Sequence, residues 1–287
     1  IFISCVTANT WTFTEDGLRR FSDLTDCKEP NTWIPYNKKV ASLGKTTDIA
    51  SDIYVTGECD TWKITTAAGY NLEGTYNHPV LVMNTSGNTE MKVLSEISIG
   101  DKVAINRGMN LWGNNDDLSG FNYAGANTTN SKNLNLSIMH DDLSYLMGLI
   151  LGDGHVEFND PHSIVISASH DEYDIHDILQ SFTWITFKNY ESNPYHWTAS
   201  NKKFTCFLKW YGFKPVVAKY KTIPIRLFSA SKNTVRHFLS GLFDADGHSR
   251  KRSGEVGLSS SSEQLIDEVM MLLLNFGIIA RKIGHEV

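Results

Sequence analysis

Leu239-Ser240-Gly241-Leu242-Phe243-Asp244-Ala245-Asp246-Gly247-His248 decides how this chain is read. An earlier stretch, Leu146-Met147-Gly148-Leu149-Ile150-Leu151-Gly152-Asp153-Gly154-His155, repeats its pattern. Each copy places Leu and Gly two positions apart, continues with mostly apolar residues and closes on Asp-Gly. That pattern predicts a helix with one flat apolar face, on which Gly148 and Gly241 let two backbones approach closely. Gly154 and Gly247 suit the left-handed end of a helix. Asp153 and Asp246 then stand at the ends of two helices that pack about a two-fold axis, carboxylate beside carboxylate. Like charges in contact are costly unless a cation bridges them. Hard oxygen ligands suit Mg²⁺, and carboxylates holding Mg²⁺ serve phosphodiester hydrolysis. A single Asp-Gly reads as a helix stop and turn. Two copies in register, each with a glycine inside the helix, point to a site.

Outward from the copies, residues 136–287 alternate helices and strands in two rounds, 136–230 and 231–287, the second incomplete. A helix over Leu143–Gly152, capped by Asp141 or Asp142, leads to strand-like runs at His155–Phe158 and Ser163–Ser169. A helix over Asp171–Ser181 and strand-like sequence from Thr183 to Phe207 follow. The second round opens with a capped helix from Ser231 to Asp244. Strands near His248–Lys251 and Glu255–Ser259 come next, then a helix over Ser262–Phe276 with a 3.6-residue apolar period. Ile166-Ser167-Ala168-Ser169 and Leu258-Ser259-Ser260-Ser261 extend the repeat.

The net charge of −6 argues at first against a nucleic-acid partner. The mean conceals an asymmetry. Residues 201–252 hold Lys202, Lys203, Lys209, Lys214, Lys219, Lys221, Arg226, Lys232, Arg236, Arg250, Lys251 and Arg252 against Asp244 and Asp246, a local +10. Such a stretch is a candidate polyanion surface. Phe204, Phe207, Trp210, Tyr211, Phe213 and Tyr220 interleave with it, either on strands lying against DNA or in the core, with core the better reading. At 41% hydrophobic and 20% charged residues the chain is not broadly disordered. No apolar run is long enough for a membrane span, and Ile1–Ser4 is too short for a signal peptide. The scattered Cys5, Cys27, Cys59 and Cys206 argue against a zinc site or disulfide scaffold. An intracellular, cytoplasmic monomer is expected, with no membrane partner.

The two copies resemble the LAGLIDADG homing endonucleases in their single-chain, two-motif form. The second copy is nearly verbatim; the first departs at Met147, Leu151 and Gly152 but keeps the Leu, Gly and Asp-Gly positions. The resemblance covers roughly residues 136–287. It implies two αββαββα half-domains whose antiparallel sheets straddle double-stranded DNA, with Asp153 and Asp246 as catalytic ligands of Mg²⁺ or another divalent cation. Lys221-Thr222-Ile223-Pro224 is similar to the Lys-x-Ile-Pro of intein-borne members, which makes Lys221 either the lysine of the cleavage centre or one more phosphate contact. Lys202, Lys203, Lys209, Lys214, Lys219, Arg226, Arg250, Lys251 and Arg252 are the expected DNA contacts. Asp244 suits packing or helix-end polarity.

Residues 5–105 carry short β-like runs, such as Trp11–Thr14, Ile53–Thr56, Trp62–Thr66 and Val80–Val82, with one short candidate helix at Leu18–Leu24. Residues 106–135, rich in Asn, Gly, Ser and Thr, read as a polar linker. Cys5, the stretch Gly74-Thr75-Tyr76-Asn77-His78-Pro79-Val80 and the later Gly100-Asp101 resemble, in order and spacing, the horseshoe-like all-β Hint fold of inteins and hedgehog-type autoprocessing domains. The whole would then be α+β. The resemblance implies that Cys5 attacks the Ser4 carbonyl to form a thioester, without a cofactor. His78 would protonate the leaving nitrogen, and Thr75 would hold or polarise the scissile carbonyl. Ile1–Ser4 would belong to the flanking host protein (the extein). An intein ends in His-Asn before Cys, Ser or Thr. This sequence closes on Gly284-His285-Glu286-Val287, so either the chain is a fragment or a complementary C-terminal piece supplies the remainder, and the chain alone is expected to form the thioester without completing splicing.

Two other readings compete. One is a degenerate LAGLIDADG module that binds nucleic acid without cutting. The other is Hint autoprocessing without ligation.

Overall fold

A computed structural model describes residues 4–125, 134–169, 172–250, 252 and 254–284. The chain forms two compact units, residues 1–113 with 269–287, and residues 114–268.

The first unit is built from antiparallel strands. A four-stranded sheet has the order β2-β1-β3-β4, from β1 (Trp11–Thr14), β2 (Gly17–Arg20), β3 (Thr32–Ala41) and β4 (Thr47–Val55). A hairpin joins β5 (Thr61–Thr65) to β6 (Asn71–Thr75). A three-stranded sheet follows, ordered β8-β7-β9, from β7 (Pro79–Met83), β8 (Thr89–Val93) and β9 (Lys102–Val103). Val80, Val82 and Leu94 form a small core, with Ile64, Leu72, Ile97 and Val103 against it. The helix expected at Leu18–Leu24 is instead β2 and a single 3₁₀ turn, Phe21–Asp23. Gly17, at φ 101°, turns the chain back so that Leu18 pairs with Phe13 and both are buried.

The second unit starts with α1 (Asp141–Asp153), β10 (Gly154–Val156), β11 (Ser163–Ser167), α2 (Tyr173–Ser181), β12 (Lys188–Tyr190), β13 (Asn193–Ser200) and α3 (Lys202–Tyr211), in the order αββαββα. Its strands form one antiparallel sheet, β10-β11-β13-β12. A second round supplies α4 (Lys232–Asp246), the hairpin of β14 (Gly247–Arg250) and β15 (Glu255–Leu258), and α5 (Glu263–Phe276), whose last turns count with the first unit. The repeat is visible in register. Gly154 pairs with Ile166 as Gly247 pairs with Leu258.

Helix α1 is buried along nearly its whole length, Leu143, Leu146, Met147, Leu149 and Ile150 being at most 2% exposed. Its cap is His140, whose Nδ1 accepts from Leu143 N–H, rather than Asp141 or Asp142. The strand expected up to Phe207 gives way at Lys202 to α3. Asn201 caps that helix by accepting from Phe204 N–H, and Phe204, Phe207, Leu208 and Tyr211 make its buried stripe.

Residues 106–135 do not form a bare tether where they are described. Met109, Leu118 and Leu134 are buried. Asn275 Nδ2 donates to Leu111 O, and Asp116 accepts from Ser231 N–H and the Thr234 hydroxyl at the start of α4. Residues 126–133 lie outside the described residues, as do Ile1–Ile3 of the expected extein remnant and His285–Val287.

Candidate functional site

The helices α1 and α4 cross with backbone against backbone. A Cβ on Gly148 would collide with the carbonyl oxygen of Phe238, and one on Gly241 with that of Tyr145. Ser144 donates to Thr234 O at 2.7 Å, and the Tyr145 hydroxyl to Asp244 Oδ2 at 2.7 Å, which gives Asp244 a partner across the helix pair. Gly154 and Gly247 are not left-handed; their φ values are −91° and −84°. They are glycines because a Cβ would strike the carbonyl oxygens of Ile150 and Phe243. The chain can therefore leave each helix directly into a strand.

This crossing brings Asp153 and Asp246 together at its end. A Cβ on Gly152 would stand 3.4 Å from Asp246 Oδ2 and 2.5 Å from the Ala245 Cβ. Burial, then the charges of Asp246 and Glu172, push the Asp153 carboxyl up to about 6. Burial likewise raises Asp246. Two half-buried carboxylates that resist ionisation together form an oxygen donor set that a hard cation relieves. Mg²⁺ suits such a pair because it keeps several waters beside one or two carboxylates. No cluster of three or more metal-binding side chains exists among the described residues.

Lys221 joins the pair. Its Nζ donates to Gly152 O at 2.6 Å and Gly154 O at 3.4 Å, on either side of Asp153. Burial lowers its pKa, opposed by the charges of Asp246 and Asp153. A cavity of ≈ 580 Å³ opens beside it, lined by His155, Glu157, Lys214 and Thr222 among others.

The other cations are scattered. Lys202 and Lys209 are exposed on the solvent side of α3, opposite its buried stripe, so the expected basic strand is a helix face. Lys203 donates to Leu134 O, and Arg226 lies 3.8 Å over the Trp210 ring while donating to Trp210 O. Lys214 and Lys219 are exposed; Arg250, on β14, faces Glu255 at 3.5 Å; Arg252 is exposed in the following turn. Lys251 lies outside the described residues. Of the interleaved aromatics, Phe204, Phe207, Tyr211 and Phe213 are buried, whereas Tyr220 is exposed.

The sequence motifs do not single out the residues of the open sheet face. Ile164, Ile166, Trp197 and Ala199 bury one side of the sheet. The opposite side carries a cross-strand row, His155, Val165, Thr198 and Lys188. Alternation of period two between buried and open residues is the signal that marks it.

In the first unit, Cys5, Thr75 and His78 converge. Val6 bridges to Gly74, and Thr75 N–H donates to Cys5 O at 2.9 Å. A Cβ on Gly74 would lie 2.5 Å from Cys5 O and 3.5 Å from the His78 Cβ, so Gly74 is the gap through which these residues meet. The Thr75 hydroxyl accepts from Cys5 N–H at 3.0 Å and reaches Asn77 Oδ1 at 2.8 Å. It therefore grips the nitrogen side of the Ser4–Cys5 peptide, where the sequence reading had it at the Ser4 carbonyl. Cys5 Sγ shares a hydrogen bond with the Thr56 hydroxyl at 2.6 Å, and beside it opens a cavity of ≈ 600 Å³. His78 is half-buried, its Nδ1 has no hydrogen-bond partner among the described residues, and burial lowers its pKa. Thr56 lies outside the motifs, and Gly74 and Asn77 fall inside the Gly74–Val80 stretch with no role read for them there.

Comparison with known proteins bears on the second copy. Residues 233–285 match the LAGLIDADG-like domain. The matched segment takes in Asp246 at the end of α4, the β14–β15 hairpin and α5. A LAGLIDADG-like domain marks a homing-endonuclease or nucleic-acid-binding module. The chain as a whole is similar to the NrdEB alpha chain of ribonucleoside-diphosphate reductase from Bacillus subtilis, 24% identical over 302 residues that cover 96% of this chain and 25% of the relative. It is also similar to a DNA gyrase subunit of Mycobacterium leprae, 24% identical over 93% of this chain and 20% of the relative. A third relative is the replication factor C small subunit of Methanocaldococcus jannaschii, 24% identical over 76% of this chain and 11% of the relative. The chain thus spans about a quarter or less of each of these relatives. No helix among the described residues is long and apolar enough to cross a membrane.

Proposed function

We propose that this chain is an intein that carries a Mg²⁺-dependent, site-specific double-strand DNA homing endonuclease. The observation that carries the nuclease half is the meeting of Asp153, Asp246 and Lys221 at the end of the α1–α4 crossing. The relatives support an insertion. Components of a reductase, a gyrase and a replication factor share this segment although their names describe different proteins, as hosts of one kind of insert would.

In the nuclease, Asp153 and Asp246 would hold the metal, which when bound neutralises phosphate charge and acidifies a water. Lys221, fixed on the carbonyls of Gly152 and Gly154, presents a further positive charge to a phosphate oxygen. The row from His155 to Lys188 lies along the duplex, with Lys188 on the backbone.

In the intein, Cys5 Sγ attacks the Ser4 carbonyl carbon. The C–N bond breaks, a thioester forms, and the proton the thiol loses passes through His78 to the nitrogen, which leaves as the Cys5 amine. Thr75 holds that nitrogen by its N–H, and Thr56 orients the thiol.

The test uses a plasmid in which the host gene is joined across the insertion. Cutting of that plasmid in Mg²⁺ by the wild type, and its loss in Asp153→Asn, is the expected result. Binding without cutting would replace the nuclease by a binder. Release of the Ile1–Ser4 side by a thiol reductant, lost in Cys5→Ala, is expected for the intein half. Equal behaviour of the two proteins would overturn it.

A further inference from the structure

Lys221 does not sit in a helix or strand; the segment from Lys221 to Pro224 is irregular, and irregular backbone needs partners to hold one shape. Its partners come from the start of α5. The Ser262 hydroxyl donates to Lys221 O at 2.6 Å, and Ile223 N–H donates to Glu268 Oε2 at 2.8 Å. Glu268 is only 3% exposed and Ser262 fully buried. The other carboxylate oxygen of Glu268 accepts from Gln264 Nε2 at 2.8 Å, and Ser262 Oγ also accepts Leu265 N–H at the first turn of α5. Burying a carboxylate is expensive unless its oxygens are occupied. Here one oxygen is spent on the backbone two residues from Lys221.

We propose that Glu268 and Ser262 are positioning residues that set where the Lys221 ammonium stands. They grip the backbone at Lys221 and Ile223, while the side chain reaches forward to the carbonyls of Gly152 and Gly154 on α1. The cleavage centre is then assembled from four places in the chain: the two motif ends, the Lys221 segment and the first half of α5. The catalytic meaning of this grip rests on the nuclease reading; the grip itself does not.

The test is acetylation of the full chain by acetic anhydride, read residue by residue by mass spectrometry, with exposed Lys209 as an internal standard and a melting curve for each variant. In the wild type Lys221 is shielded relative to Lys209. Glu268→Ala is expected to raise Lys221 labelling severalfold with Lys209 unchanged, and Glu268→Gln, which keeps an acceptor for Ile223 N–H, to restore shielding. Ser262→Ala is a second route to the same release and covers the case in which Glu268→Ala does not fold. Unchanged Lys221 shielding in both Ser262→Ala and a folded Glu268→Ala overturns the proposal. So does release of Lys221 in Glu268→Gln to the level of Glu268→Ala.

On the joined-gene plasmid, a lower kcat at unchanged KM for Glu268→Ala, rescued in Glu268→Gln, is expected of a positioning role in cleavage. A wild type that cuts no DNA but shows the labelling pattern would remove the nuclease reading and leave the grip standing.

Discussion

Gly148 and Gly241 hold equivalent places on opposite helices, each facing the carbonyl of a residue on the other, Phe238 and Tyr145. The obstructing atoms are backbone on both sides, so no side chain can turn away to make room. Gly148→Ala or Gly241→Ala is expected to force α1 and α4 apart at a cost of about 3 kcal/mol or more. Chemical denaturation checks this, and metal-dependent cutting should fall with it because Asp153 and Asp246 separate.

The raised protonation of Asp153 makes a pH prediction. Its folded pKa of about 6 lies above the ordinary 3.8, so the folded state holds the proton more tightly than the unfolded chain. The stability this gives is complete below about pH 4 and is lost as pH rises to about 6. Asp153→Asn should therefore be the more stable protein at pH 7, by on the order of 1 kcal/mol once partial exposure is allowed for. The two proteins should converge at pH 4. Added Mg²⁺ should raise the melting temperature of the wild type and leave that of the variant nearly unchanged. Melting curves at both pH values, with and without the metal, are the measurement.

Gly74 guards the approach to Cys5. A methyl group there meets Cys5 O at 2.5 Å, which pushes the segment carrying Cys5 off Thr75. Gly74→Ala should slow reductant-induced release of the Ile1–Ser4 side about tenfold or more, since small misplacements of reacting groups are costly. Mass spectrometry of the released product gives the rate.

Lys188 and Lys202 separate two views of the DNA surface. Lys188 lies on the open sheet face, and Lys202 on the outer side of α3. Lys188→Ala should lower the salt slope of duplex binding by about 1, and Lys202→Ala should leave it unchanged. Fluorescence anisotropy across a salt series decides between them; the opposite ranking would return the interface to the basic stretch.

Much of this arrangement could be read from residues, and the failures have physical reasons. The Asp153–Asp246 pair was legible because a repeat supplies its own partner. The glycines ending each motif were correctly marked but for the wrong cause: sequence shows that a residue lacks a side chain, whereas only packing shows whether φ or space demands it. Helix α3 was hidden by its composition. Thr205, Cys206 and four aromatic residues favour strands on propensity, yet Phe204, Phe207, Leu208 and Tyr211 carry the 3.6-residue period that tertiary packing rewards. Lys221 stood out by its motif, but its hold on Gly152, and that of Glu268 on Ile223, join residues far apart in sequence, and a hydrogen bond of that reach leaves no periodic trace.

The chain leaves its first unit after residue 113 and rejoins it at residue 269. In polymer terms the whole second unit occupies a loop of the first. Closing a loop costs only about 0.6 kcal/mol more for each doubling of its length. A body of this size can thus be gained or shed by the first unit at little expense to its folding. The strands around Cys5 and the body carried in that loop can then change independently of one another.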